Sequence, residues 1–344
     1  MEGIRSLAQS AFEEEQRFHP PENVARVYDV VDLRAFGPFP DKPSTLNRVA
    51  DSGDEEHAMP NLQALTQEEL CTWLLSATGR DETGAHQCLP QASATLRVVR
   101  IRRRGPGLVI SQSAFTQIFE WMKADPAIKY MICQDYDGFH EYRGEGYRLT
   151  RFFETGLYAL VWTFDPVSMT TTAIFLNRRT TPGLFEQFVN VLWEYRSHIH
   201  TPPLLCFVSC YFLLQFFDRE INRWDFGTIR HIEQETGFRP DRVAEAVFIF
   251  PSQDVLKSDI DQLASWLRAV NEVAINLSNV TRHETNSQVL LGVVLNEHES
   301  GEHPGISGEA LARCRSSLRA LAEAVPSVER HLSLYIEYIL YLKC

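Results

Sequence analysis

The stretch TPPLLCFVSCYFLLQFFDRE, residues 201–220, contains fourteen consecutive uncharged residues, Leu204 to Phe217. Whether they cross a bilayer or fill a protein interior decides the fold class. At about 1.5 Å per residue a helix of that length reaches about 21 Å, short of an apolar bilayer core of about 30 Å. The chain turns polar on both sides, at His198, His200 and Thr201 before it and at Asp218, Arg219 and Glu220 after it. Thr201 followed by Pro202 and Pro203 is a helix start, because the first turn has N–H groups to spare. The segment therefore reads as a buried helix. No longer apolar stretch occurs, so no membrane span is expected.

Helical patterning extends on either side of it. Leu184, Phe185, Phe188, Val191 and Leu192 share one face, and a further helix is expected to end at Glu235-Thr-Gly237. Beyond Pro251, Leu256, Ile260, Leu263, Leu267, Val270, Ala274 and Leu277 fall at alternating intervals of four and three. That is a heptad seam that needs a partner helix, from a protein partner or from a second copy. A polar hinge, Asn296 to Gly305, precedes two shorter helices, the last carrying Val328, Leu332, Tyr335, Ile339 and Leu342.

The middle of the chain reads as strands. Thr95–Ile101 is rich in branched residues, and Arg102-Arg-Arg-Gly-Pro-Gly107 turns the chain into Leu108–Ile110. Lys129–Cys133 reads as another strand, after a short helix over residues 113–123. Leu157–Phe164, the turn Asp165–Met169 and Thr170–Leu176 form the clearest hairpin. Upstream, Thr66-Gln-Glu-Glu69 is a capping box that opens a helix. The expected fold is α+β in layers: a mixed sheet covered by helices, followed by a long-helix C-terminal region. The expected segments are an extended region over 1–60, a sheet-and-helix domain over 61–250, and a helical hairpin or bundle over 251–344.

Composition narrows the setting. The 344 residues are 44% hydrophobic and 23% charged, with 33 Lys and Arg against 45 Asp and Glu and a net charge of −12. A field of that sign repels phosphate backbones, so nucleic acid is not an expected partner. Seven cysteines without paired spacing suit a reducing compartment. No apolar leader opens the chain, and a cytoplasmic location is expected.

Three clusters could carry chemistry. Asp135, Asp137 and Glu141 gather oxygen ligands after a strand and are candidates for a divalent cation. However, His140 and Gly146 stand where a helix-loop-helix calcium loop wants glycine and glutamate. His198 and His200 with Cys206 and Cys210 match no standard zinc spacing, and buried cysteines are the plainer reading. Arg97, Arg100, Arg102, Arg103 and Arg104 are the one basic concentration. In a strand, Arg100, Arg102 and Arg104 share a face. They read as a solvated sheet edge, or as a holder of phosphate, an anionic lipid surface or the acidic stretch Asp51–Glu56. No phosphate loop, serine elbow or metalloprotease helix occurs, so no catalytic residue and no cofactor is assigned.

Arg151-Phe-Phe-Glu154, Trp162-Thr-Phe-Asp-Pro166, Thr172-Ala-Ile-Phe175, Pro202-Pro-Leu-Leu205, Phe217-Asp-Arg-Glu220, Ile232-Glu-Gln-Glu-Thr-Gly237 and the heptad helix from Leu256 occur in succession. Over about residues 95–295 this resembles the cytosolic part of fungal proteins in the CorA-like divalent-cation transporter group. The resemblance implies a sheet-and-helix domain leading into long stalk helices and then two membrane helices, usually in a pentamer, with magnesium as the associated ion. The family's Gly-Met-Asn signature is absent here, so no pore residue carries over. The resemblance then implies a soluble offshoot or a truncated form. The leading expectation is a non-enzymatic domain with an interaction or ion-sensing role. The alternative is an accessory protein or enzyme of fungal metabolism, including secondary metabolism, with a pocket between sheet and helices.

Overall fold

A computed structural model describes residues 12, 18–21, 27–35, 62–76, 93–105, 107–134, 136–144, 146, 148–178, 181–220, 226–236, 253–301, 305–306 and 308–343. Its strands are β1 (Tyr28–Ala35), β2 (Gln63–Leu65), β3 (Ala94–Ile101), β4 (Arg103–Arg104), β5 (Gly107–Leu108), β6 (Gly138–Tyr142), β7 (Thr150–Glu154), β8 (Tyr158–Asp165) and β9 (Thr170–Asn177). Its α-helices are α1 (Gln67–Ser76), α2 (Gln112–Met122), α3 (Ala127–Gln134), α4 (Leu184–Glu194), α5 (Leu204–Glu220), α6 (Phe226–Thr236), α7 (Gln253–Ser300) and α8 (Gly308–Lys343). The fold is α+β, with a mixed sheet, helices packed on it and long helices at the C-terminal end. Two compact units divide the chain, Met1–Ser209 with Val289–Val325, and Cys210–Gln288 with Pro326–Cys344.

The first unit holds a seven-stranded sheet in the order β2-β1-β3-β9-β8-β7-β6. β3 and β9 run parallel, and the other neighbours are antiparallel. The hairpin expected from Leu157 onward is present, registered from Tyr158 opposite Asn177 to Asp165 opposite Thr170. Asp165 closes its turn by accepting from the Val167 N–H at 3.2 Å and the Ser168 hydroxyl at 2.8 Å. Strand alternation then sorts the side chains. Ala159, Val161, Ile174 and Leu176 join a core with Phe115, Ile118 and Phe119 of α2 and Ile128 of α3. On the opposite face Tyr158 and Phe175 stack at 4.9 Å, and Phe175 meets Phe185 and Phe188 of α4 at 5.2 and 5.1 Å.

Capping fixes where the helices begin. The Thr66 N–H donates to Glu69 at 2.8 Å and the Glu69 N–H to the Thr66 hydroxyl at 3.2 Å, the reciprocal pair expected from the sequence. Ser111 caps α2 by accepting from the Ala114 N–H at 3.2 Å. The decisive apolar segment is α5. Leu204 through Cys210 and Phe212 through Leu214 are buried. The prolines start the helix, with the Cys206 N–H on the Pro203 carbonyl at 2.9 Å. Among the described residues no helix is long and apolar enough to cross a membrane.

Several expectations need correction. Lys129–Cys133 is not a strand but part of α3, because Asp125-Pro126 starts a helix there. Asp125 accepts from the Ala127 N–H at 3.0 Å, and Pro126 stands where no N–H is needed. The chain does not finish in two short helices. α8 runs unbroken past Pro326, and Cys314, Leu318, Leu321, Val325, Val328 and Leu332 keep one buried face across the proline. Tyr28–Ala35, within the region expected to be extended, is a strand of the sheet between β2 and β3. The hinge is shorter than expected, since α7 continues to Ser300.

The second unit is helical among its described residues. It takes in the end of α5 from Cys210, α6, α7 as far as Gln288, and α8 from Pro326. Phe212, Leu213, Val273, Val328 and Leu332 are buried within it, and Phe217 stacks on buried His283 at 5.2 Å.

Candidate functional site

β3 and β9 are the one parallel pair in the sheet, so their carboxyl ends, Ile101 and Asn177, lie side by side. The crevice outside such ends is where open sheets place ligands. Here the chain leaves β3 into Arg102 and the β4–β5 ribbon, which turns at Gly105 with φ +59°. It leaves β9 through Arg178 toward α4. A cleft of about 820 Å³ opens between these exits. Arg100, Arg102, Arg103, Gly105 and Asn177 line one part of it, and Arg178, Thr181, Pro182 and Glu186 line the rest.

The cleft's polar groups are held in register. Arg100 lies opposite Asp29 across the β1–β3 ladder and donates to it at 3.0 Å, to Asn177 Oδ1 at 2.9 Å and to Glu186 at 3.3 Å. Phe185 supports its guanidinium at 5.6 Å. Arg102, two residues on and on the same face, reaches the same Asp29 oxygen at 3.1 Å, and its side chain is 47% exposed. Arg178 is anchored from below by Glu154 and the Ile132 carbonyl. α4 starts at Gly183, which has φ +72° and provides no side-chain cap. The positive end of α4 is therefore at the rim formed by Thr181 and Pro182.

These positions correct the reading as a solvated sheet edge for Arg97 and Arg100, while Arg102 and Arg104 are exposed. β3 is interior to the sheet, flanked by β1 and β9. Arg97 is 3% exposed, pairs with Asp32 at 3.3 Å, and lies over the Trp73 ring at 4.9 Å on the opposite face. Arg100 and Arg102 do share a face, as alternation requires. Their shared carboxylate partner is Asp29, and Arg100 also donates to Glu186. Asp51–Glu56 lies outside the described residues.

Of the three candidate cation ligands, the structure describes Asp137 and Glu141. Asp135 lies outside the described residues, Asp137 is exposed, and the Glu141 carboxylate accepts from Arg151 at 2.6 Å. Arg151 is 6% exposed and also engages Glu297 of α7. Burial alone would lower its pKa, but the neighbouring Cys206, Glu297 and Glu141 outweigh burial and raise it. His200 is buried, with Nε2 3.1 Å from the Ser93 hydroxyl. Burial pushes both His198 and His200 down to about 4, with a lesser push from His200 on His198 and from Arg313 on His200. Cys206 is buried and its thiol is pushed up to about 12. Among the described residues no group of three or more His, Cys, Asp or Glu is placed to hold a metal ion.

A second surface stands out on α7. Ile260 is 62% exposed, Leu263 57%, Leu267 73% and Val270 42%, and Ala274 is exposed with them. The side chains of Leu256 and Leu277 lie outside those described. The buried residues of α7, Val273, His283, Ser287, Leu290, Leu291 and Val294, centre roughly 140° around the helix at 100° per residue. The heptad row is therefore not the face that this chain buries, and sequence reading did not single out the buried face. Neither known family models nor curated proteins show a match to this chain.

Proposed function

We propose that this chain is a non-enzymatic interaction domain of the cytoplasm that pairs with a second copy of itself through the exposed row Ile260–Ala274 of α7. The exposure of that row is the observation that carries the reading. Four large apolar side chains repeat at coiled-coil intervals with water against them. The positions beside the row favour a like partner. Ala264, Trp266, Asn271 and Val273 flank it, whereas Asp261, Arg268 and Glu272 fall on outer positions. Two copies laid together meet no like charges along the row. The CorA-like resemblance supports self-association of the long helix, though as a pentamer and not a pair, and it adds magnesium as the ion to test.

Magnitudes set the strength of the pairing. Burying what remains exposed of each large side chain is worth about 1–2 kcal/mol, or roughly 10 kcal/mol over two copies. That is of the order of the ~4–15 kcal/mol that association costs in lost freedom. The dimer is therefore concentration-dependent, not permanent. Sedimentation equilibrium over a wide concentration range, with and without magnesium, should show mass rising from monomer to dimer. Leu263→Lys with Leu267→Lys should hold the chain at monomer mass with an unchanged circular dichroism spectrum. A wild-type chain that stays monomeric throughout, or a double variant that still dimerises, contradicts the reading.

The second reading, an accessory protein or enzyme with a pocket between sheet and helices, draws support from the cleft where β3, β9 and the start of α4 meet.

A further inference from the structure

We propose that the cleft at the carboxyl ends of β3 and β9 is a binding site for a small phosphorylated compound. The lining carries four guanidiniums, from Arg100, Arg102, Arg103 and Arg178, against one carboxylate, Glu186. Glu186 already accepts from Arg100. Asp29 pairs with Arg100 and Arg102, and Glu154 with Arg178, so four guanidiniums face three carboxylates and one positive charge is left in excess in this concave place, in a chain of net charge −12. A low-dielectric wall such as the Phe185 ring beneath Arg100 strengthens what that charge does inside the cleft.

The shape fits the same class of ligand. A volume of about 820 Å³ lies within the roughly 300–1,000 Å³ of small-molecule sites. It is concave, which a flat lipid surface does not require. Guanidiniums offer paired N–H donors that match the oxygens of a phosphate group. Asn177 and Thr181 add neutral hydrogen-bonding groups that fix orientation. The uncapped start of α4 at Gly183 adds a positive helix end to the rim. One part of the site is held in place before any ligand arrives. Arg100 is held by Asp29, Asn177 and Glu186, so a ligand does not have to order it. Arg102, which is half exposed, remains able to turn from Asp29 toward a bound anion.

The cleft draws on residues of β3, β9, the β4–β5 ribbon and α4, none of them in the α7 row. The proposal therefore stands or falls separately from self-association. Isothermal titration of the full chain with inorganic phosphate, a nucleoside monophosphate and succinate is the test. Saturable binding of the phosphates is expected. Arg102→Gln with Arg103→Gln should weaken it at least tenfold, as loss of a charge-assisted bond requires. Arg104→Gln, which removes a charge on the same ribbon outside the cleft, should leave it within twofold. If the double variant melts early, Thr181→Ala and Arg102→Gln singly, both at partly exposed positions, should each weaken phosphate binding with the melting temperature preserved. Four outcomes overturn the proposal: no saturable binding, equal or tighter binding of succinate, equal loss in Arg104→Gln, or retention on anionic lipid vesicles with the free phosphates not binding.

Discussion

Arg178, in the lining of the basic cleft, and Glu154 form an ion pair with side chains 5% and 3% exposed. A pair so far from water is costly to break, because removing one partner strands the other charge. Glu154→Ala is expected to lower stability by about 3–5 kcal/mol in urea titration. A loss under about 1 kcal/mol, as for an exposed pair, would show that water reaches the site. His198 and His200 set a different dependence. Their pKa values fall from 6.5 in the unfolded chain to about 4 in the folded one, chiefly through burial. The folded state therefore binds fewer protons between those values. Their contribution is complete above about pH 6.5 and is lost as pH falls toward about 4. Urea titrations across that window should show a steep loss in the wild type and a shallower one in His198→Gln with His200→Gln. Parallel slopes would place both imidazoles in water.

At the scale of elements, the Thr66–Glu69 box holds the start of α1, and Thr66→Ala should cost about 1 kcal/mol by thermal melt with the sheet unaffected. This cap was legible because every part of it lies within four consecutive residues. The same holds for the β8–β9 hairpin, whose turn chemistry and alternation are local. α3 was misread because Lys129–Cys133 is a short apolar run, and such runs do not distinguish strand from buried helix. The signal that settles it is the preceding Asp125-Pro126, a cap followed by a proline suited to the first turn. α7 shows a subtler error. Its heptad row is real in the sequence, but periodicity gives a face and not its partner, and the face buried within the chain is a different one.

Across the whole molecule, what remained hidden was non-local. The pairing of β3 with β9 joins segments far apart in the chain, Arg100 and Asn177 being separated by 77 in sequence, and no local pattern announces it. The cleft follows from that adjacency, which the local sequence around its arginines does not encode. The layered α+β arrangement, by contrast, was legible from the order of strand-rich and helical stretches. It rested on α5 being interior. That claim is tested most directly at Cys206 and Cys210, both fully buried, with thiols that burial pushes up to about 12. The measurement is the rate at which an alkylating reagent labels each of them, read by mass spectrometry across a urea series. Burial predicts that neither reacts in native buffer and that both label only in step with global unfolding. Labelling of either cysteine in native buffer at the rate of an exposed thiol would contradict it.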